Sequence, residues 1–325
     1  MPQADTPAQE GQLTTDVLPA TDLDLAAATV AQSAHGTVLP AQNKALRLKR
    51  ILVVARLEGA DSLRSRWLQF TTLIYALVFG AFVWLGLRES SVLGFTGLSR
   101  VVLHMANAAV LAVPLVALVA SCQAVTKARA SGHLELLLVA PLRRSDWFAG
   151  LVLARAGILV TPLLAMLLAA AVVGKLLDPL DQALVPMTIH ALLVSVTLLW
   201  AYLGLGLLIS SIAQSLERAV VLALLVWLLS AALHDFALIG VLLQWQLPTP
   251  VVFGLAALNP VEAARLAVLC AVDPELSLLG PVGFWIANQL GPQWTYGLGL
   301  GWPATVGTLA VLLAGRSVQK RDAVA

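Results

Sequence analysis

The chain has 325 residues, of which 59% are hydrophobic and 12% charged, with a net charge of +2. A soluble domain carries roughly 25% charged residues, so this composition excludes a water-soluble globular fold and makes lipid the solvent. The two cysteines, Cys122 and Cys270, lie far apart in apolar surroundings. That excludes a disulfide framework and a CxxC zinc site, and both are expected to act as small hydrophobes.

Residues 1–43 hold five acidic residues and no Lys or Arg, with no basic start leading into an apolar run. No signal peptide is expected, and the stretch reads as a disordered cytoplasmic tail. Residues 44–66 read as an amphipathic helix in the membrane surface, because Leu46, Ile51, Leu52, Val54 and Leu57 alternate with basic residues. A helix needs about 20 apolar residues to cross a bilayer. Six stretches meet that need: 67–87, 101–123, 147–174, 186–211, 219–240 and 294–315. They define a six-span domain, 67–318, followed by a short cytoplasmic tail, 319–325. The expected class is an all-α integral membrane protein.

Lys and Arg set the orientation of such a protein. With a cytoplasmic N-terminus, four of the 20 basic residues fall outside (Arg88, Arg100, Lys175 and Arg265) and the other sixteen inside. Both termini are therefore expected in the cytoplasm, in a bacterial inner membrane.

Between the second and third spans, Ser131 is expected to N-cap a short cytoplasmic helix, Gly132–Val139, which Pro141 ends. Ser145 and Asp146 are expected to cap the third span. Leu134, Leu137 and Leu138 would form the short helix's apolar face, with Arg143 and Arg144 just beyond it. A soluble partner could dock there, and a plain connecting loop is the other reading. The outer segment 241–293 holds six prolines, so continuous helices across it are not expected. Asn259, Pro260 and Glu262 have the order of a helix start: N-cap, first position, third position. That helix should run to about Val272 within a re-entrant or interfacial segment, with Trp245, Trp285 and Trp294 at headgroup depth.

Polar residues inside spans are candidates for function because lipid penalises them. Here they are His104, His190, His234 and Asp235, together with Arg155, which is close enough to the cytoplasmic face to snorkel. The expectation for His234 and Asp235, near the outer end of the fifth span, is a hydrogen-bonded pair facing the dimer or the periplasmic elements, with a polar pathway or a contact to a periplasmic partner as the other reading. No repeated Met or Cys spacing suits copper, and no metal site is expected. No G-x-x-x-x-G-K-[ST] loop is present, so the chain is not expected to bind ATP or to carry catalytic residues. No nucleic-acid partner is expected. Gly297-x-x-x-Gly301 and Gly206-x-x-x-Ser210 should let helices approach closely.

Three motifs resemble one family. Gly132-His133-Leu134-Glu135-Leu136-Leu137-Leu138, with Pro141 and Arg143-Arg144, resembles the G-T-L-E-x-L-L-x-x-P-x-x-R signature of type-2 ABC exporter permeases. Glu58 to Trp67 resembles the elbow helix before their first span. Leu258-Asn259-Pro260-Val261-Glu262-Ala263-Ala264-Arg265-Leu266 resembles the L-N-P-x-x-x-x-R-L motif of the permeases that serve nitrous-oxide reductase maturation. The resemblance covers about Ala45 to Val318. It implies a homodimer of six-span subunits, each with an elbow helix and a cytoplasmic coupling helix. It also implies two copies of a separate cytoplasmic ATPase that takes ATP and Mg, and a periplasmic partner in copper-site assembly. Lys127-Ala128-Arg129 stands where the family has an acidic E-x-E run. Export of a lipid, glycan or drug, and a membrane scaffold without an ATPase, remain the alternatives.

Overall fold

Inside hydrocarbon each backbone amide must be satisfied within its own segment, and the long apolar stretches accordingly form helices. The computed structural model describes residues 44–63, 69, 73–77, 80–81, 99–132, 142–177, 179–245, 247–273, 276 and 279–321. Contacts divide the chain at Arg47/Leu48, and the arrangement below belongs to the unit Leu48–Ala325. Of the unit Met1–Arg47, the described part is the first turn of α1.

The helices are α1 (Lys44–Leu63), α2 (Ser99–Ser121), α3 (Ala124–Ala130), α4 (Arg144–Leu177) and α5 (Leu184–Ile212). Next comes α6 (Leu216–Leu228), which passes through a π-helical turn at Leu229–Leu233 into α7 (His234–Gln244). They are followed by α8 (Thr249–Leu258), α9 (Pro260–Val272), α10 (Gly280–Gln289) and α11 (Pro292–Arg321). Among the described residues, five helical stretches are long and apolar enough to cross a membrane: Ala108–Ala130, Arg144–Leu176, Leu184–Ile212, Leu216–Val241 and Pro292–Lys320. They cover the second to sixth expected spans. Most of the expected span 67–87 lies outside the described residues, although Tyr75 within it is fully buried. The helices α8 and α9 meet at a 111° bend, which fits the re-entrant reading of the segment before the last span.

The hub is α5, which packs against α2, α4, α9 and α11. It buries Leu198, Leu199, Tyr202, Leu203 and Leu207. Glycine sets its closest crossings. A Cβ on Gly204 would sit 2.5 Å from the carbonyl oxygen of Gly307 in α11, and one on Gly307 would sit 2.5 Å from that of Trp200. The Trp200 Nε1 donates to Thr308 Oγ1 beside this crossing at 3.1 Å. Gly206 leaves room in the same way for Ser121 and Leu118 of α2, so the expected close approach at Gly206 is found, within the subunit. The expectation for Gly297 and Gly301 is corrected: a Cβ on either meets nothing within 4 Å. The packing glycines of α11 are Gly299, against Ala263 and Ala267 of α9, and Gly307.

On α1, Val54 is buried against α4, where a Cβ on Gly150 would meet Val54 Cγ1 at 2.6 Å. Leu52, Val53 and Leu57 of the same helix stay exposed, as a helix lying in a headgroup layer requires. Both cysteines are buried and free.

Candidate functional site

The fold gathers polar residues at two places. The first holds the close of α2, all of α3, the start of α4 and the close of α5. After Ser121 the α2 helix breaks, and α3 restarts at Ala124. A restarting helix has orphan N–H groups, and Gln123, at the cap position, supplies no side-chain bond. Ser210 of α5 supplies it: its Oγ accepts from the N–H of Val125 at 2.9 Å and of Thr126 at 3.2 Å. At the other end of α3, Arg129 donates from Nη1 to the Ser211 carbonyl at 3.0 Å. That carbonyl belongs to the last turn of α5, where helix carbonyls lack internal partners and a cation is favoured. Thus Arg129 is held within the fold.

Here the structure corrects two expectations. Ser131 closes α3: its N–H bonds to Lys127 O at 3.0 Å and its Oγ donates to Ala128 O at 3.3 Å. Gly132 has φ +69, a left-handed conformation that ends a helix and that glycine adopts without penalty. It is therefore the terminator of α3, outside any helix. The third span starts at Arg144, ahead of Ser145, and Ser145 Oγ donates to Asp146 Oδ1 at 3.4 Å. The expected docking residues Leu134, Glu135, Leu137, Leu138 and Pro141 lie outside the described residues. Arg143 is exposed and Arg144 half-buried, and neither pairs with an acid among the described residues. Trp147, buried beside them, donates from Nε1 to Glu58 of α1 at 3.3 Å, which ties the elbow-like helix to the start of α4. Arg155 does not snorkel. Its Nη1 donates to the Ala120 carbonyl at 3.1 Å, across to the place where the break after α2 interrupts the helical bonding.

The second place is the bend between α8 and α9, where the Asn259 motif meets the fifth span inside the bundle and Trp302 of α11 donates to the Leu258 carbonyl at 2.8 Å. Asn259 is buried and uses both ends of its amide. Its Oδ1 accepts from the Val261 N–H at 3.0 Å, capping α9 as expected. Its Nδ2 donates to the Ser230 carbonyl at 2.6 Å. Ser230 lies in the π turn, where the His234 N–H reaches back five residues to Leu229 O. That skips the Ser230 carbonyl, and Asn259 takes the place of the missing helical donor.

One turn further along, Arg265 bridges the two elements. Its Nη1 lies 3.2 Å from Asp235 Oδ2 and 2.7 Å from Glu262 Oε1. The expected His234–Asp235 pair is therefore replaced by an Asp235–Arg265–Glu262 cluster, which unites two groups of candidate residues that the sequence presents separately. The side chains of Arg265 and Asp235 are about a third exposed, at 31% and 33%. Coupling between Arg265→Gln and Asp235→Asn should be about 1 kcal/mol, within the roughly 0.5–3 kcal/mol found between residues in contact. A double-mutant cycle on thermal unfolding in detergent measures it.

His190 faces the last helix. Its Nδ1 lies 2.7 Å from Tyr296 Oη, with the rings edge to face at 5.1 Å. Pro260 holds the first position of α9. The side chain of His104 lies outside the described residues. Trp245 and Trp294 are exposed, whereas Trp285 packs against Phe253 in a small second core, with ring centroids 6.1 Å apart. Among the described residues no three His, Cys, Asp or Glu side chains gather as a metal-binding group.

Comparison with known sequences agrees with this layout. The family model described as ABC-2 family transporter protein matches residues 52–313. A relative from Stutzerimonas stutzeri, named as a probable ABC transporter permease protein NosY, is 28% identical over 237 residues, covering 72% of this chain and 86% of the relative. A protein of the same name from Pseudomonas aeruginosa is 30% identical over 227 residues, covering 69% of this chain and 82% of its own length. With a family match over most of its length and helices that fit a multi-pass permease, the chain belongs to the ABC-2 family of transporter proteins.

Proposed function

We propose that this chain is the permease subunit of an ABC-type complex and that it carries shape change, rather than solute, across a bacterial inner membrane. Two subunits pair as a homodimer with both termini in the cytoplasm. Two copies of a separate ATPase bind ATP and Mg and press on the segment Gly132–Arg144. The movement reaches the periplasmic side through Asn259–Leu266 and acts there on a partner that matures a copper enzyme such as nitrous-oxide reductase.

The observation that carries this reading is the continuity of α5. Its last turn caps and holds α3, next to the Gly132–Arg144 segment, through Ser210 and Ser211. Its body packs directly against α9, which Asn259 locks to the π turn. A packed helix is stiff, so a displacement of α3 is passed along α5 to α9 as a rigid shift and is not absorbed locally.

The test is purification of the tagged full chain in mild detergent, with ATPase assay and mass spectrometry of what is retained. A P-loop ATPase should co-purify. It should be lost from the double variant Glu135→Lys with Arg144→Glu, which keeps the apolar docking face and reverses its flanking charges. A retained periplasmic protein whose presence changes the ATPase rate supports force transmission. Stimulation by a lipid, glycan or drug alone would replace it with export. A homo-oligomer without any ATPase would overturn the reading in favour of a membrane scaffold.

A further inference from the structure

Beside the contact of Val54 with Gly150, α1 and α4 diverge and leave a groove of about 550 Å³, open along one side. Leu52, Arg56 and Gly59 line it from α1, at helical spacing that puts them on one stripe. Leu153, Gly157, Thr161 and Ala165 line it from α4, again as one stripe. Small residues hold it open: a Cβ built on Gly59 or Gly157 meets nothing within 4 Å.

Three features identify what fits. The wall on α4 runs from Leu153 to Ala165, about 18 Å at 1.5 Å per residue. That is close to one leaflet of hydrocarbon, about 15 Å, and so suits a single acyl chain. The mouth is basic. Arg56 is exposed and makes no ion pair or hydrogen bond among the described residues. Lys49 is exposed on the same stripe two turns earlier, and Glu58, the nearby acid, is engaged by Trp147. The location is the surface helix of a membrane protein, where unpaired cations meet anionic headgroups. A peptide strand is a poor occupant, because its backbone amides find no partners in an apolar slot. A second copy across a two-fold axis at this face would bring the same basic helix against itself.

We propose that the groove is a binding site for one anionic glycerophospholipid, with its phosphate on Arg56 and one acyl chain laid along α4 between Leu153 and Ala165. The lipid bridges α1 to α4 beyond their contact at Val54, so α1 is seated fully only in a membrane that supplies an anionic headgroup. The site does not depend on coupling to an ATPase.

The experiment is native mass spectrometry of the full chain released from nanodiscs made with phosphatidylglycerol and phosphatidylcholine. Wild type should retain phosphatidylglycerol preferentially. Arg56→Glu should reduce that retention about tenfold, because it replaces one attraction by one repulsion at an anionic surface. Gly157→Leu should reduce it by a similar factor, because the new side chain fills the groove, and the open space at Gly157 lets the variant fold. Gly240→Leu, on α7 with equally open space, is the control and should retain lipid as wild type does. Equal retention in all four proteins, or retention of phosphatidylcholine as strong as phosphatidylglycerol, would overturn the site and leave an ordinary lipid annulus. Loss of dimers with unchanged lipid in Gly157→Leu would overturn it in favour of a subunit contact.

Discussion

Replacing Asn259 by Ala should cost about 2–4 kcal/mol and, under the proposed function, abolish the periplasmic output of the complex. Two separate losses add. The cap on α9 disappears with the Oδ1 that holds the Val261 N–H, and a lost N-cap costs about 1 kcal/mol. The bond to the Ser230 carbonyl disappears with Nδ2, and an acceptor left unmet in an apolar site costs about 1–3 kcal/mol. Asn259→Asp separates the two. It keeps the capping oxygen but turns a second acceptor toward the Ser230 carbonyl, so it should retain α9 and still lose about 2 kcal/mol through the clamp alone. Thermal unfolding in detergent measures the stability, and the activity of the periplasmic enzyme that the proposed function names as client measures the output. If Asn259→Asp matches wild type in both, the link between α9 and the fifth span has no mechanical role.

The second large effect is expected at the crossing of α5 and α11. Gly307→Leu places a Cβ 2.5 Å from the Trp200 carbonyl oxygen and 2.7 Å from its carbon. These are backbone atoms of the hub helix, which cannot rotate away as a side chain can. The helices must separate, the bond from Trp200 to Thr308 breaks, and the cavity left along the seam adds to the strain. We expect about 3 kcal/mol or more of destabilisation and little folded protein recovered from membranes. Gly301→Leu, on the same helix but facing open space, should stay within about 0.5 kcal/mol of wild type. Detergent extraction followed by size-exclusion chromatography compares the two. Equal recovery would mean that α5 and α11 do not pack at these glycines in the membrane.

Much of the architecture is legible in the sequence because lipid enforces a simple rule: an apolar run of sufficient length becomes a helix. The second to sixth expected spans each have a matching helix for that reason. The cap at Asn259 and the end of α9 at Val272 are legible too, since they rest on local backbone geometry. What escapes the sequence is pairing between distant helices. Asp235 beside His234 suggests a local pair, but burial of Glu262 and the reach of Arg265 from α9 decide the partner. The π turn carries no Gly or Pro in Leu229–Leu233 to announce it, and its role appears only when Asn259 is seen to occupy the Ser230 carbonyl. Ser131 illustrates the opposite error. A Ser before an apolar run reads as a helix start, yet α3 runs directly into it and the left-handed Gly132 follows, so among the described residues it finishes a helix. Gly297 and Gly301 show that small-residue spacing marks a possible close approach without choosing the face that uses it.

The cap that Ser210 provides for α3 has a consequence for the order in which the protein can be built. The serine follows Val125 by 85 residues. At a synthesis rate of about 5–20 residues per second, the N–H groups of Val125 and Thr126 wait roughly 4–17 s for it. During that interval the end of the second span can be inserted but not finished, and interfacial water must stand in for the missing hydroxyl. The start of α3 is therefore completed only once the fourth span has entered the membrane and docked. A nascent chain that stalls before Ser210 leaves the start of α3 without its side-chain acceptor.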